Sequence, residues 1–341
     1  MLKEPSKSYK PFHYEWAVAA SKEHAAIHWL EEEIDLSPDL ADWKNGSMNE
    51  VEKHHVTNIL KLFTQQDLGV SNVYYDYLIP VFKNNEIRMM LGAFASMESI
   101  HQRAYALLND TLGLPEDSYT EFREYKEMLD KIDFIEDNEI DTDSGVAKTI
   151  VKQIFSEGVS LFGSFVMLLN YRRCKVTADG KELSSGKMPG MCTVVEYSVR
   201  DEDQHCQGGI KLFREFMNEN PHLITDTFKK EIYEMARTVV ALEDKFIDLA
   251  YEMGPVEGLT KEELKEYIRY LTDRRLIQIG LKGNFKVKDN PLPWVDIMIN
   301  GNNHSNFFET RVTDYRKAGM IGEWGWPEEV EDEQCTTSAN S

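Results

Sequence analysis

With 341 residues, 42% of them hydrophobic and 28% charged, the chain has the length and balance for one large globular core. Its formal net charge of −21 argues against direct nucleic-acid binding, because phosphate contacts need a basic face. Cys174, Cys192, Cys206 and Cys335 form no Cys-x-x-Cys pair and no disulfide framework. With no signal-peptide pattern at the start, the expected location is the cytoplasm and no membrane partner is expected.

In chain order, a first helix is expected over 17–34, and Trp29 within it reads as ordinary core. The polar run Asn49-Glu50-Val51-Glu52-Lys53-His54-His55 reads as a solvated helix start; it holds Glu52/His55, the first of four Glu-x-x-His units. From Asn58 onward, Leu60 and Phe63 share a face with Asp67, which taken alone reads as a cap or turn before Gly69. Next, Leu91, Phe94, Glu98, His101, Tyr105 and Leu108 recur at steps of three and four. That stripe is apolar except at three chemically able residues. A helix is expected over 121–132.

In the run from Ile150 to Leu169, Glu157 shares a stripe with Ile150, Ile154, Leu161 and Ser164. Its apolar part, about 158–169, is too short to span a bilayer and reads as a core helix. The polar, Gly-punctuated segment 177–186 is expected to be a loop. Val195, Ser198, Glu202, His205, Gly209 and Leu212 then repeat the earlier stripe. Glu219/His222 spans Pro221, which does not sit inside a helix, and is set aside. Two more helices are expected over 225–253 and 261–281. Nothing divides residues 1–300, whereas 301–341 ends in the acidic stretch Glu328–Glu333 and reads as a tail that orders on binding.

Two Glu-x-x-His units therefore stand on apolar faces, Glu98/His101 and Glu202/His205. Residues three apart on a helix share a face, so each unit offers an oxygen and a nitrogen ligand to one metal. Burying a carboxylate and an imidazole costs several kcal/mol unless they are paired or bound to metal. Two such helices facing each other, with one further carboxylate from each of two others, make the di-metal site of an all-α, ferritin-like helical bundle. Asp67 and Glu157 are the candidates for those carboxylates. His and carboxylate ligands suit iron and manganese alike.

The sequence resembles the small, radical-bearing subunit of class I ribonucleotide reductase along nearly its whole length. The likeness is carried by Trp29-Leu30-Glu31-Glu32-Glu33-Ile34-Asp35, Phe63-Thr64-Gln65-Gln66-Asp67, and Met97-Glu98-Ser99-Ile100-His101-Gln102-Arg103-Ala104-Tyr105. It continues through Glu157, Phe162 and Ser164, then Arg200-Asp201-Glu202-Asp203-Gln204-His205 and Tyr270-Leu271-Thr272-Asp273-Arg274-Arg275. Asn290-Pro291-Leu292-Pro293-Trp294 and Asn306-Phe307-Phe308-Glu309 complete it.

The resemblance implies two metal ions, iron in the first instance and manganese as the alternative, held by Asp67, Glu98, His101, Glu157, Glu202 and His205. It further implies a tyrosyl radical on Tyr105, walled by Leu161 and Phe165, with Ser198 more polar than such a wall should be. A route from Tyr105 past His101 to Asp201, Trp29 and Tyr315 would carry the radical to a large subunit that reduces ribonucleotides. It also implies a homodimer and a tail that docks on that large subunit; this tail ends polar, leaving Trp324, Trp326 and Val330 as apolar anchors. The other readings are a di-iron oxygenase or oxidase, and a non-catalytic metal-storage bundle.

Overall fold

Helices dominate the computed structural model, which describes residues 1–173 and 186–298 together with the backbone of 175–176 and 182–184. The chain opens with α1 (Glu15–Ala26), a 3-10 turn at Glu31–Glu33 and α2 (Ser37–Lys44). The expected helix over 17–34 thus stops at Ala26. Trp29 lies in the link between α1 and the turn and is almost wholly buried. A bidentate ion pair from Arg103 to Glu31 holds that turn in place.

α3 (Glu50–Asn72) begins with a capping box in which Asn49 accepts from the Glu52 N–H and Glu52 accepts from the Asn49 N–H. The helix start is where expected, but His55 is buried rather than solvated; its Nδ1 lies 3.1 Å from the Tyr171 hydroxyl. His54 faces outward instead, paired with Glu252. α3 runs past Asp67, which is therefore neither cap nor turn, into a π turn at Val73–Leu78 and the short α4 (Ile79–Val81).

α5 (Asn85–Leu112) is capped by Asn84 and stops at Gly113, whose φ of 76° is the left-handed value that ends a helix cheaply. α6 (Ser118–Glu121), a 3-10 turn at Phe122–Glu124 and α7 (Lys126–Glu136) follow. The helix expected over 121–132 is displaced because Tyr125 takes an extended conformation just before α7.

α8 (Asp143–Phe155) continues through a second π turn, Ser156–Ser160, into α9 (Leu161–Leu169). By length and composition Asp143–Arg172 could cross a bilayer, but its apolar window is entirely buried inside the bundle. Strand β1 (Lys175–Val176) pairs antiparallel with β2 (Glu182–Ser184), so part of the expected 177–186 loop is a strand. α10 (Pro189–Glu219) ends just before Pro221, while α11 (Asp226–Ala250) and α12 (Lys261–Gln278) fall close to expectation.

α3 packs on α5, α8 and α9 on α10, and α10 on α5, forming a four-part centre with α1, α11 and α12 applied to its outside. One continuous cluster of Leu, Ile, Val, Phe and Met side chains fills it. Each such buried side chain contributes roughly 1.5–3 kcal/mol, so apolar burial rather than any polar pair dominates folding.

Candidate metal centre

The centre of the bundle is where the sequence stripes meet. α3 brings Asp67, α5 brings Glu98 and His101, the second π turn brings Glu157, and α10 brings Glu202 and His205. All six are at most 1% exposed. Ligand atoms of Glu98, Glu157, Glu202 and His205 lie within 4.8 Å of one another, as do those of Asp67, Glu98 and His101. Glu98 belongs to both groups, so it would be the carboxylate common to ions held at each.

The straight stripe expected around Glu157 is broken by the π turn. A π turn adds a residue to the helix and often marks a functional site. Here it lets the chain pass very close to its neighbours: a Cβ on Gly158 would lie 2.6 Å from both Cys206 Sγ and Arg275 Nε. Arg275 Nε also donates to the Gly158 carbonyl (3.1 Å), giving the α12 motif residue a role in fixing this turn.

Both imidazoles present Nδ1 to the carboxylates. His101 Nδ1 is 3.1 Å from Glu202 and 3.3 Å from Glu98. His205 Nδ1 is 2.9 Å from Glu98 and 3.3 Å from Glu202. Despite this proximity, Asp67 Oδ2, Glu98 Oε1, both Glu202 oxygens and His205 Nδ1 have no hydrogen-bond partner of good geometry among the described residues. Five orphaned polar atoms converging in a buried core would be costly, and cations would satisfy them all.

Electrostatics point the same way. Burial and the Glu98 charge push Asp67 well above the usual carboxylate range. Burial raises Glu157 to about 7 against the opposing pull of His205. Burial would lower both imidazoles, but the facing acids hold His101 and His205 well above the ordinary histidine value. The pocket thus demands positive charge, and metal ions meet that demand by displacing protons. The oxygen and imidazole donor set fits iron or manganese.

Around the cluster, Tyr105 is buried, stacks on Phe63 (ring centroids 4.5 Å apart), and donates its hydroxyl proton to Ser198 Oγ at 3.0 Å. Ser198 in turn donates to the Val194 carbonyl. Its polarity is therefore the phenol's hydrogen-bond partner rather than a flaw in the wall. Phe165 stands behind Phe63 at 5.4 Å, and Leu161 is buried on α9. Asp201 Oδ2 lies 3.3 Å from His101 Nε2 and accepts from Trp29 Nε1 at 2.8 Å. Tyr315 and the tail anchors lie outside the described residues.

Several residues at the site escaped sequence reasoning. His24 on α1 places Nε2 3.3 Å from His205 Nε2, and burial lowers it to about 3, so it is neutral. Tyr74, in the first π turn, donates to Glu157 Oε1, as does Gln153 Nε2 at 2.8 Å. Asp39 on α2 accepts from the Gly190 and Met191 N–H groups, both at 2.7 Å, and so anchors the start of α10. Sequence offers a signal only for Tyr74, seven residues and about two turns beyond Asp67.

The model for the ribonucleotide reductase small chain matches residues 6–291. The chain belongs to the ribonucleotide reductase small-chain family. Within that family, it is 36% identical over 338 residues to a probable ribonucleoside-diphosphate reductase small subunit of Invertebrate iridescent virus 3, covering 94% of this chain and 86% of the relative. A ribonucleoside-diphosphate reductase subunit beta of Chlamydia pneumoniae is 29% identical, covering 91% of this chain and 90% of the relative. The ribonucleotide reductase R2 subunit of Clostridium botulinum superposes with a TM-score of 0.77 at 23% identity, covering 86% of this chain and 91% of that one, and so shares its fold.

Proposed function

We propose that this ribonucleoside-diphosphate reductase small subunit holds two metal ions between Asp67, Glu98, His101, Glu157, Glu202 and His205 and stores an unpaired electron on Tyr105. The bound ions, iron or manganese, supply the oxygen activation and one-electron oxidation that side chains lack. The chain's own groups do the rest. Glu98 and Glu202 each face both imidazoles, so each would help to hold both ions. Asp201 holds His101 by its Nε2, which turns Nδ1 toward the metal side. Phe63 and Phe165 keep water from the phenol, and Ser198 fixes its oxygen.

The observation that carries this reading is the buried chain His101–Asp201–Trp29. Neither a storage bundle nor an oxygenase has a use for a tryptophan wired to a metal-side histidine. The connection supports Trp29 and Asp201 as a path for the radical toward a large subunit, with Tyr315 as the relay on the tail. The partners of this reading are that large subunit and a second copy of the chain, in the cytoplasm.

Tyr315→Phe tests the relay, because phenylalanine keeps most of the shape but lacks the phenolic proton and is far harder to oxidise. The variant is expected to keep its metals, the Tyr105 radical and affinity for the large subunit while nucleotide reduction collapses. Normal turnover would remove Tyr315 from the path.

A further inference from the structure

We propose that Tyr74 is a second oxidisable phenol of this centre, in an environment chemically different from that of Tyr105. The inference rests on the reading of the cluster as an oxygen-activating metal centre. Tyr74 leaves α3 in the Val73–Leu78 π turn and is 2% exposed. Its ring meets that of His205 edge-on, with centroids 6.0 Å apart. Its hydroxyl donates directly to Glu157 Oε1, whereas the hydroxyl of Tyr105 donates to a serine.

That difference matters because a base in contact with a phenol makes loss of its electron easier and return of its proton faster. At Tyr74 the acceptor is already in hydrogen-bond contact. Gln153 donates to the same Glu157 oxygen at 2.8 Å, so the carboxylate is held in the orientation that faces the phenol. On oxidation, the Tyr74 O–H bond breaks and an O–H bond forms at Glu157 Oε1. The electron would go to the one-electron oxidant that bound ions and oxygen supply, leaving a neutral phenoxyl on Tyr74. The product is short-lived, since the proton waits one hydrogen bond away. Tyr105, stacked on Phe63, has no such immediate return.

The test uses full-length Tyr105→Phe protein, loaded anaerobically with Fe(II), mixed with oxygen and frozen at intervals from milliseconds to seconds for electron paramagnetic resonance. A transient phenoxyl signal is expected, narrowed by ring-deuterated tyrosine. It should vanish in Tyr105→Phe/Tyr74→Phe at equal metal content. Placing 3-fluorotyrosine at position 74 in the Tyr105→Phe background keeps the hydrogen bond and should add fluorine splitting to the signal. No transient phenoxyl in protein with two metals per chain that consumes oxygen, or a signal without fluorine splitting, overturns the proposal. An unsubstituted protein that binds two metals yet never forms a tyrosyl signal would remove the parent reading, and Tyr74 oxidation with it.

Discussion

Trp29 Nε1 donates a 2.8 Å hydrogen bond to Asp201 Oδ2 inside the core, joining a residue of the α1 link to the metal-side face of α10. The same oxygen faces His101 Nε2, and the Arg200 guanidinium stands 3.3 Å from the other. Burial raises the Asp201 carboxyl, but His101 and Arg200 outweigh it and leave it lowered, so it is an anion. Asp201→Ala should therefore free His101 to rotate. Loss of such a partner typically costs about 10–100-fold in metal affinity or activity. Metal titration of the purified variant reads this, and unchanged affinity together with unchanged nucleotide reduction would exclude Asp201 from both roles.

Ser198→Ala should leave two metals and a Tyr105 radical but remove the hydroxyl oxygen that accepts from the Tyr105 phenol at 3.0 Å. The expected readout is a shift of the radical's g-anisotropy in high-field paramagnetic resonance, because that quantity reports hydrogen bonding to the phenoxyl oxygen. An identical spectrum would mean that Ser198 keeps donating to the Val194 carbonyl and gives the phenoxyl oxygen no hydrogen bond.

Glu202→Ala and His205→Ala should each lower metal occupancy below two per chain while the helical content stays. The helices are held by the apolar cluster, and the Glu202 carboxylate faces only the site's own imidazoles among its charged neighbours given above, so truncation is felt at the centre rather than in the helix packing. Metal analysis beside circular dichroism checks the pair. Full occupancy with unchanged coordination in both variants contradicts the ligand assignment.

Much of this was legible because helical period and chemistry coincide. Glu98, His101 and Tyr105 sit on one apolar stripe of α5, and a polar interruption of a core face has few explanations. The long helices over 226–250 and 261–278 follow from the same periodicity. What failed depended on tertiary partners. Trp29 leaves the helical register because Asp201, 172 positions away, holds its indole. Glu157 rides on a π turn whose close approach needs Gly158 under Arg275 and Cys206. His55 looked solvated in its polar run, yet Tyr171 and Tyr251 enclose it.

That enclosed histidine gives a pH prediction away from the proposed ligands. Burial, with a smaller contribution from His54, lowers His55 from 6.5 to about 3. As pH falls below 6.5 the unfolded chain takes up a proton that the folded chain refuses, so stability drops across the window from 6.5 toward 3. The slope for one such group approaches about 1.4 kcal/mol per pH unit. Nitrogen-15 spectra should show a neutral His55 ring at pH 5. A ring that titrates near 6.5 in the folded protein would contradict this.

The most direct test of the account is metal counting combined with electron paramagnetic resonance on unsubstituted and Tyr105→Phe protein, loaded with Fe(II) or Mn(II) without oxygen and then exposed to a chemical oxidant appropriate to each. The account predicts two ions per chain in both, with a persistent tyrosyl radical in the unsubstituted protein and none that persists in Tyr105→Phe. A persistent, unchanged tyrosyl signal in Tyr105→Phe, or many ions per chain with no radical in either, would contradict it.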